Sequence, residues 1–462
     1  MPLTGVQSEP ARPVAPAATA GTWADCMRAG AERMQEGAPG DAVGLFRCAA
    51  DLRPAHPATR LNLAAALLRT GDAAQALHIY DQRLTEQPGD PTAHHGRGLA
   101  LSALQDRTGA LAAFRATVVH APDAWRAWGS IADLTPNECE RRHAIDRAAD
   151  ALEHRCQASD APATLYGDCV SALIDARRPA DALRFTHTHR ARFPDKRAVH
   201  EALARASYRL GRFQDAFDHA QRALRALEPH AVAAAPRRHP FDPDAAVAAL
   251  RDVTAILEAR GLQPFLAAGT LLGFHRDGGP LAHDRDVDIG ILRGPDGSPH
   301  VVDIIREHPT LLLRRDLRPG DRYIALTHQG IGIDVFVHDA DGDHLLCGMT
   351  DRPGDIQWRF TRFQLADAEY GGHRWRTPHA PERYLAESYG PGWRRPDTGF
   401  ASAISSPALH HVDPCARAYY AVTRARQCAL AGDRAKAAAL LRQSPTPVTF
   451  ELGKTPCASD SS

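Results

Sequence analysis

The residues of this chain best suited to chemistry are crowded into Gly269 to Gly290, GTLLGFHRDGGPLAHDRDVDIG. Asp284, Asp286 and Asp288 stand there at alternate positions, with Gly269-Thr270 and Arg276 a short distance upstream. Alternation of Asp286, Asp288 and Gly290 with Val287, Ile289 and Ile291 has the period of a half-buried strand. It places Asp286 and Asp288 on one face, two residue rises or roughly 7 Å apart. Carboxylates at that separation beside an apolar sheet repel by a few kcal/mol at an effective dielectric of about 20, so they need a cation. Oxygen ligands favour Mg²⁺ or Mn²⁺, ions that are shared with substrate phosphates. An EF-hand calcium loop also opens on alternate aspartates, but its required sixth and twelfth residues, Gly and Glu, are Ile289 and Pro295 when counted from Asp284.

A third acid is expected from a neighbouring strand. Ile331 to His338 (IGIDVFVH) alternates in the same way, and Asp334 is flanked by Ile333 and Val335. A charge inside such a strand is costly unless it is paired or metal-bound. Tyr323 to His328 is the expected pairing strand, joined through Gln329-Gly330. Pro264 to Ala268 reads as a short buried strand that runs into Gly269-Thr270 and then a helix. The backbone N–H groups at that junction form an anion site that a phosphate can approach closely.

The elements that hold this centre begin after a boundary rich in proline, Pro236, Pro240 and Pro243, which places a linker at 230–243. Asp244 to Arg260 then has apolar residues at helical spacing, closed by Gly261. Before the linker, residues 23–229 are Ala-rich and helix-patterned, and Pro54, Pro88 and Pro122 recur at 34-residue intervals. In that register Gly30 aligns with Gly98, Ala42 with Ala76 and Ala110, and Phe46 with Tyr80 and Phe114. A small residue where helices approach, with an aromatic to fill the gap, is what stacked helical hairpins require. The pattern resembles the tetratricopeptide repeat. It loses phase between Thr135 and Glu140 and resumes with Ala182 and Ala216, giving five to six repeats in two blocks. Residues 416–443 form one more helical hairpin that turns at Gly432-Asp433. Residues 1–22 and 444–462 are expected to be disordered tails.

Composition bounds the rest. Lys+Arg and Asp+Glu are equal at 55 each in 462 residues, so no overall basic field draws nucleic acid or an anionic membrane. The nine cysteines form no CxxC pair and no close, even framework, which excludes a zinc site or disulfide scaffold by spacing. No run approaches the ~20 apolar residues of a membrane span and none has the core of a signal peptide, so a cytoplasmic location is expected.

The ordered run G-T-L-L-G-x-x-R-x-G-G-x-x-x-x-D-x-D-V-D-I-G, followed by I-D-V-F at 333–336, resembles the LicD family, whose relatives include fukutin and fukutin-related protein. The likeness extends from about Ala246 to Pro396 and closes on Pro381-Glu382-Arg383-Tyr384-Leu385 and Tyr389-Gly390-Pro391-Gly392-Trp393. It implies a multidomain chain, an all-α repeat solenoid followed at 244–400 by an α+β nucleotidyltransferase-type domain with a small mixed sheet. By position it implies that Asp286 and Asp288 are the metal-binding pair, Asp334 the third acid and Asp284 a supporting acid. Gly269-Thr270 becomes the phosphate-side turn and Arg276 a phosphate clamp. The sequence departs from the family at His283, where Trp is common, and at Arg285, where an acid is common. The implied activity is transfer of a phospho-linked group, such as phosphocholine or ribitol phosphate, from a CDP-activated donor to a glycan hydroxyl. The repeats would dock a protein or peptide. Two other readings are a repeat scaffold with a degenerate transferase domain and an enzyme that transfers a nucleoside monophosphate.

Overall fold

The computed structural model describes residues 21–227, 241–281, 286–294, 298 and 300–448. They form two compact units, divided between Ile131 and Ala132.

The first unit is built from three antiparallel helix pairs: α1 (Trp23–Gln35) with α2 (Pro39–Leu52), α3 (Pro57–Arg69) with α4 (Ala73–Glu86), and α5 (Pro91–Ala103) with α6 (Arg107–His120). Helix starts follow local chemistry. Pro39, Pro57 and Pro91 occupy first positions, where the missing N–H costs nothing, and the Asp72, Asp90 and Asp106 carboxylates cap free N–H groups. The aligned alanines Ala42, Ala76 and Ala110 are fully buried. The Phe46 ring lies against Gly30, Phe114 against Gly98 and Tyr80 against Gly96, so close that a Cβ at these glycines would come within 2.2–2.6 Å of ring atoms. The small-and-aromatic register of the sequence is therefore a packing contact. Helix α7 (Trp125–Leu134) then runs across the division.

In the second unit, α8 (Glu138–Arg155), α9 (Thr164–Asp175), α10 (Pro179–Thr188), α11 (Lys196–Arg209) and α12 (Phe213–Arg225) continue the helical pairing. The loss of phase near Thr135 is a connection in which Asn137 caps α8 and the Thr135 hydroxyl donates to Glu140.

The α+β domain starts with α13 (Pro243–Glu258) and continues β1 (Pro264–Leu266), α14 (Ala268–Asp277), β2 (Asp286–Leu292), α15 (Val301–Glu307), β3 (Leu312–Leu313), β4 (Tyr323–His328), β5 (Ile331–Asp341), β6 (His344–Gly348), β7 (Gln357–Thr361), β8 (Leu365–Tyr370), β9 (His373–Pro378), α16 (Pro381–Tyr389) and α17 (Ser402–Ser405). Its main sheet is mixed, in the order β1-β2-β5-β4-β3, with β2 and β5 parallel and β6 and β7 extending the far end of β5. Strands β8 and β9 form a separate hairpin. Leu250, Val253 and Leu257 of α13 belong to the same buried cluster as Val287, Ile289, Ile333 and Val335, so one sheet face is the core and the other is left for the acids.

The last two helices, α18 (Pro414–Leu430) and α19 (Arg434–Arg442), form the expected hairpin around Gly432, whose φ of +85° suits glycine. Ala418 and Val422 of α18 pack with Ala204, Phe217 and Leu224 of α11 and α12. The chain thus leaves the repeats at α12, builds the α+β domain, and returns to stack one more hairpin on the helix it left.

Candidate active site

Register places the acids. Strands β2 and β5 run parallel with Asp288 opposite Asp334 and Asp286 opposite Gly332. Residues opposite each other in a ladder project to the same side, so Asp286, Asp288 and Asp334 share the face turned away from α13. The Gln329-Gly330 turn, both residues at positive φ, is a two-residue hairpin loop that sets Ala325 opposite Asp334 and Tyr323 opposite Phe336.

On that face Asp286 is the diagonal neighbour of Asp334, and their negative charges oppose each other. Burial, and then the neighbouring Asp286 carboxylate, push the Asp334 carboxyl up to about 6, against the pull of the Tyr323 hydroxyl, Arg314 and Arg424. The Tyr323 hydroxyl is kept protonated by burial and by Asp334, so it acts as a donor to that carboxylate. The Arg314 guanidinium lies 5.5 Å from the Tyr323 ring centroid and is paired with Asp316 at 2.5 Å.

Asp288 is turned to the start of α14. Its Oδ2 accepts from Gly269 N at 2.8 Å and Thr270 N at 3.3 Å, while its own backbone N–H donates to Thr270 Oγ1 at 2.6 Å. The N–H groups anticipated as an anion site at Gly269-Thr270 do hold an anion, and it is the protein's own carboxylate. Ala268, at φ +40°, makes the sharp entry into the helix, braced by its N–H on the Tyr384 hydroxyl at 3.4 Å. Gly273 is required because a Cβ there would lie 2.6 Å from the Gly279 carbonyl oxygen, where the chain folds back along the helix.

Arg276 stands in the last turn of α14, about 10 Å along the axis from Gly269 at 1.5 Å per residue, and its guanidinium pairs with Asp277 at 2.9 Å. His275 bonds the Tyr370 hydroxyl at 2.7 Å and packs on Trp393, so it ties α14 to the closing segment. Asp284, His283 and Arg285 lie outside the described residues. Among the described residues, no three His, Cys, Asp or Glu side chains are arranged as a ready-made metal cage. The donor set nonetheless fits a hard divalent cation: Asp286 and Asp334 are hard oxygen ligands that repel each other.

Beyond the acids on the same face lies a small pocket of about 50 Å³, lined by Phe336, His338, Trp358, Tyr384 and Ser402 among others. His338 is held neutral, since burial pushes it down to about 4, and its Nδ1–H donates to the Phe336 carbonyl at 3.0 Å. Gly290 leaves room for the Phe265 ring, whose atoms would lie 2.1 Å from a Cβ there.

Tyr323 and Arg314 were not legible as site residues from motif alone. Tyr323 is implied by the hairpin register, which carries it to the Asp334 face; Arg314 and Arg424 carry no sequence signal.

Acids on adjacent parallel strands, beside a strand-to-helix turn, thus sit on a mixed sheet packed with helices. A profile described as "LicD/FKTN/FKRP, nucleotidyltransferase domain" matches residues 261–309, and one of the tetratricopeptide repeat matches residues 33–100. Mouse "Ribitol-5-phosphate transferase FKTN" is 28% identical over 145 residues, which are 30% of this chain and 31% of that protein. Solved structures with similarity include MamA (18% identity, 30% of this chain and 82% of that one, TM-score 0.26). Another is TTC0263, a tetratricopeptide repeat protein of Thermus thermophilus (18% identity, 44% and 91%, TM-score 0.26). The second domain is thus similar to the LicD nucleotidyltransferase domain over residues 261–309, and the helical array to the tetratricopeptide repeat over residues 33–100. None of its described helices is long and apolar enough to cross a membrane.

Proposed function

We propose that the second domain is a transferase that moves a phospho-linked group from a CDP-activated donor to a hydroxyl of a glycan. The observation that carries this reading is the placing of Asp286, Asp288 and Asp334 on one face of two adjacent parallel strands, beside the Asp288-bonded N–H groups of Gly269 and Thr270 on the LicD-type strand-turn-helix. Asp286 and Asp334, with Asp288 beside them, would hold Mg²⁺ or Mn²⁺, which when bound supplies neutralisation of the donor diphosphate.

The chain's own groups do the remaining work. Gly269 and Thr270 offer N–H groups to a phosphate oxygen once Asp288 gives them up. Tyr323 orients the Asp334 carboxylate, and the raised proton affinity of Asp334 suits it to accept the proton of the attacking hydroxyl. The repeats of the first unit are left to bind a protein or peptide.

The test is incubation of the full chain with labelled CDP-ribitol, CDP-choline or CTP and Mg²⁺, with candidate glycan acceptors. Release of CMP with label on the acceptor supports the proposal. Pyrophosphate from CTP would instead make the protein a nucleotidyltransferase, and no turnover with bound partners would make it a scaffold.

A further inference from the structure

The small pocket beside the acids is walled by aromatic rings around one buried imidazole. His338 follows Asp334 and Phe336 at two-residue spacing along β5, so the three stand on one face of the sheet. Its side chain is sealed from solvent, at 1% exposure. The Nδ1–H donates to the Phe336 carbonyl of its own strand, which leaves a lone pair on Nε2, the ring nitrogen farther from the backbone. Nε2 is buried and has no hydrogen-bond partner among the described residues. Other polar groups of the lining are committed to backbone: the Ser388 hydroxyl donates to the Tyr384 carbonyl at 2.8 Å, the Ser406 hydroxyl to the Ser388 carbonyl at 2.7 Å and the Trp358 indole N–H to the Ser402 carbonyl at 3.2 Å. Ala268, the residue before Gly269, also lines the pocket, so this space adjoins the turn whose N–H groups hold Asp288.

A buried acceptor among rings calls for a small group with an O–H and an apolar body. About 50 Å³ is room for roughly three to five groups of the size of water. Water itself is a poor match, because it needs about two to four polar partners and the lining offers one unpaired atom. A trimethylammonium suits the rings by cation–π attraction but has no hydrogen to donate, so it would leave Nε2 desolvated and unpaired. The end of a polyol meets both demands, with its carbons on the Phe336 and Trp358 rings and an O–H on Nε2. We propose that this pocket is a subsite for a polyol carried by the donor, and that His338, by accepting its O–H, makes the enzyme prefer a polyol-phosphate donor to a phosphocholine one. This inference rests on the reading of the domain as a user of CDP-linked donors. His338 lies outside residues 261–309, which match the LicD profile.

The experiment is calorimetric titration of the full-length protein in Mg²⁺ with CDP, CDP-ribitol and CDP-choline, for wild type, His338→Phe and His338→Gln, alongside thermal melts. Wild type is expected to bind CDP-ribitol about tenfold or more tighter than CDP-choline. His338→Phe should lose that preference with CDP affinity unchanged, and its melt should hold or rise because an unpaired buried acceptor is gone. His338→Gln, whose amide oxygen reaches the place of Nε2, should keep part of the preference. If His338→Phe does not fold, Ser402→Leu at the exposed rim of the pocket replaces it and should lower affinity for CDP-ribitol alone. Equal affinity for the two donors in wild type, or a preference that survives the substitution, overturns this inference and leaves the proposed function standing. Failure of the wild type to bind CDP or either donor overturns the proposed function and this inference together.

Discussion

At the scale of single residues, the site is a problem of negative charge solved by position. Asp286 and Asp334 raise each other's cost, and Tyr323 offsets part of it with one hydrogen bond. Asp334→Asn removes a charge without changing shape, so divalent-dependent turnover should fall by about 10² or more while the melting temperature holds or rises; kinetics and a thermal scan on the same preparation check both. A fall in activity with collapse of the melt would mean the acid is structural. Thr270 has a different burden. Its buried hydroxyl accepts from the Asp288 N–H, so Thr270→Val strands that donor and should cost about 1–3 kcal/mol in urea unfolding, with loss of activity as Asp288 drifts.

At the scale of elements, glycines mark where two pieces must touch. Gly98 beneath Phe114 is the plainest case, since a Cβ there would be 2.6 Å from the ring. Gly98→Leu should overpack the α5–α6 pair and lower stability by about 1–3 kcal/mol, read by circular dichroism of the full chain, with turnover per folded molecule unchanged. Within the α+β domain the same logic fixes α14. Gly273 admits the returning chain, Tyr384 braces Ala268, and Trp393 packs on His275. The closing segment of the family pattern therefore acts on the motif by holding its helix.

At the scale of the whole molecule, the second repeat block is engaged by its own chain. Arg141, almost fully buried, donates to the carbonyls of Arg314, Arg315 and Leu317. Arg209 pairs with Asp316 at 2.8 Å, and the Tyr208 hydroxyl donates to Asp355. This holds the loop that carries Arg314 to Tyr323. In the same network burial, and then Asp316, push the Asp175 carboxyl up to about 6. An acid that binds its proton more tightly folded than unfolded stabilises the fold only while protonated, so wild-type stability should decline as pH rises from about 4 through 6. Asp175→Asn should escape that decline, gaining about 1–3 kcal/mol over wild type at pH 7.5 relative to pH 4, as urea titrations at the two pH values would show. Parallel curves would place Asp175 outside the network.

The sequence by itself determined what depends on local pattern. The 34-residue register, the strand carrying Asp286 and Asp288, the Gln329-Gly330 hairpin with Asp334 and the C-terminal hairpin all follow from periodicity and turn chemistry acting over a few residues. Tertiary structure decided what depends on which surfaces meet. It turned Asp288 toward Gly269 and Thr270, and it laid β2 beside β5 so that Asp286 and Asp334 share one face of a parallel pair. It also sent the last hairpin back to pack on α11 and α12, some 200 residues away in sequence by the separation of Val422 from Leu224. No local pattern encodes such an approach, because the free energy that fixes it comes from burying Ala418, Val422 and Tyr420 against distant partners and not from the residues beside them.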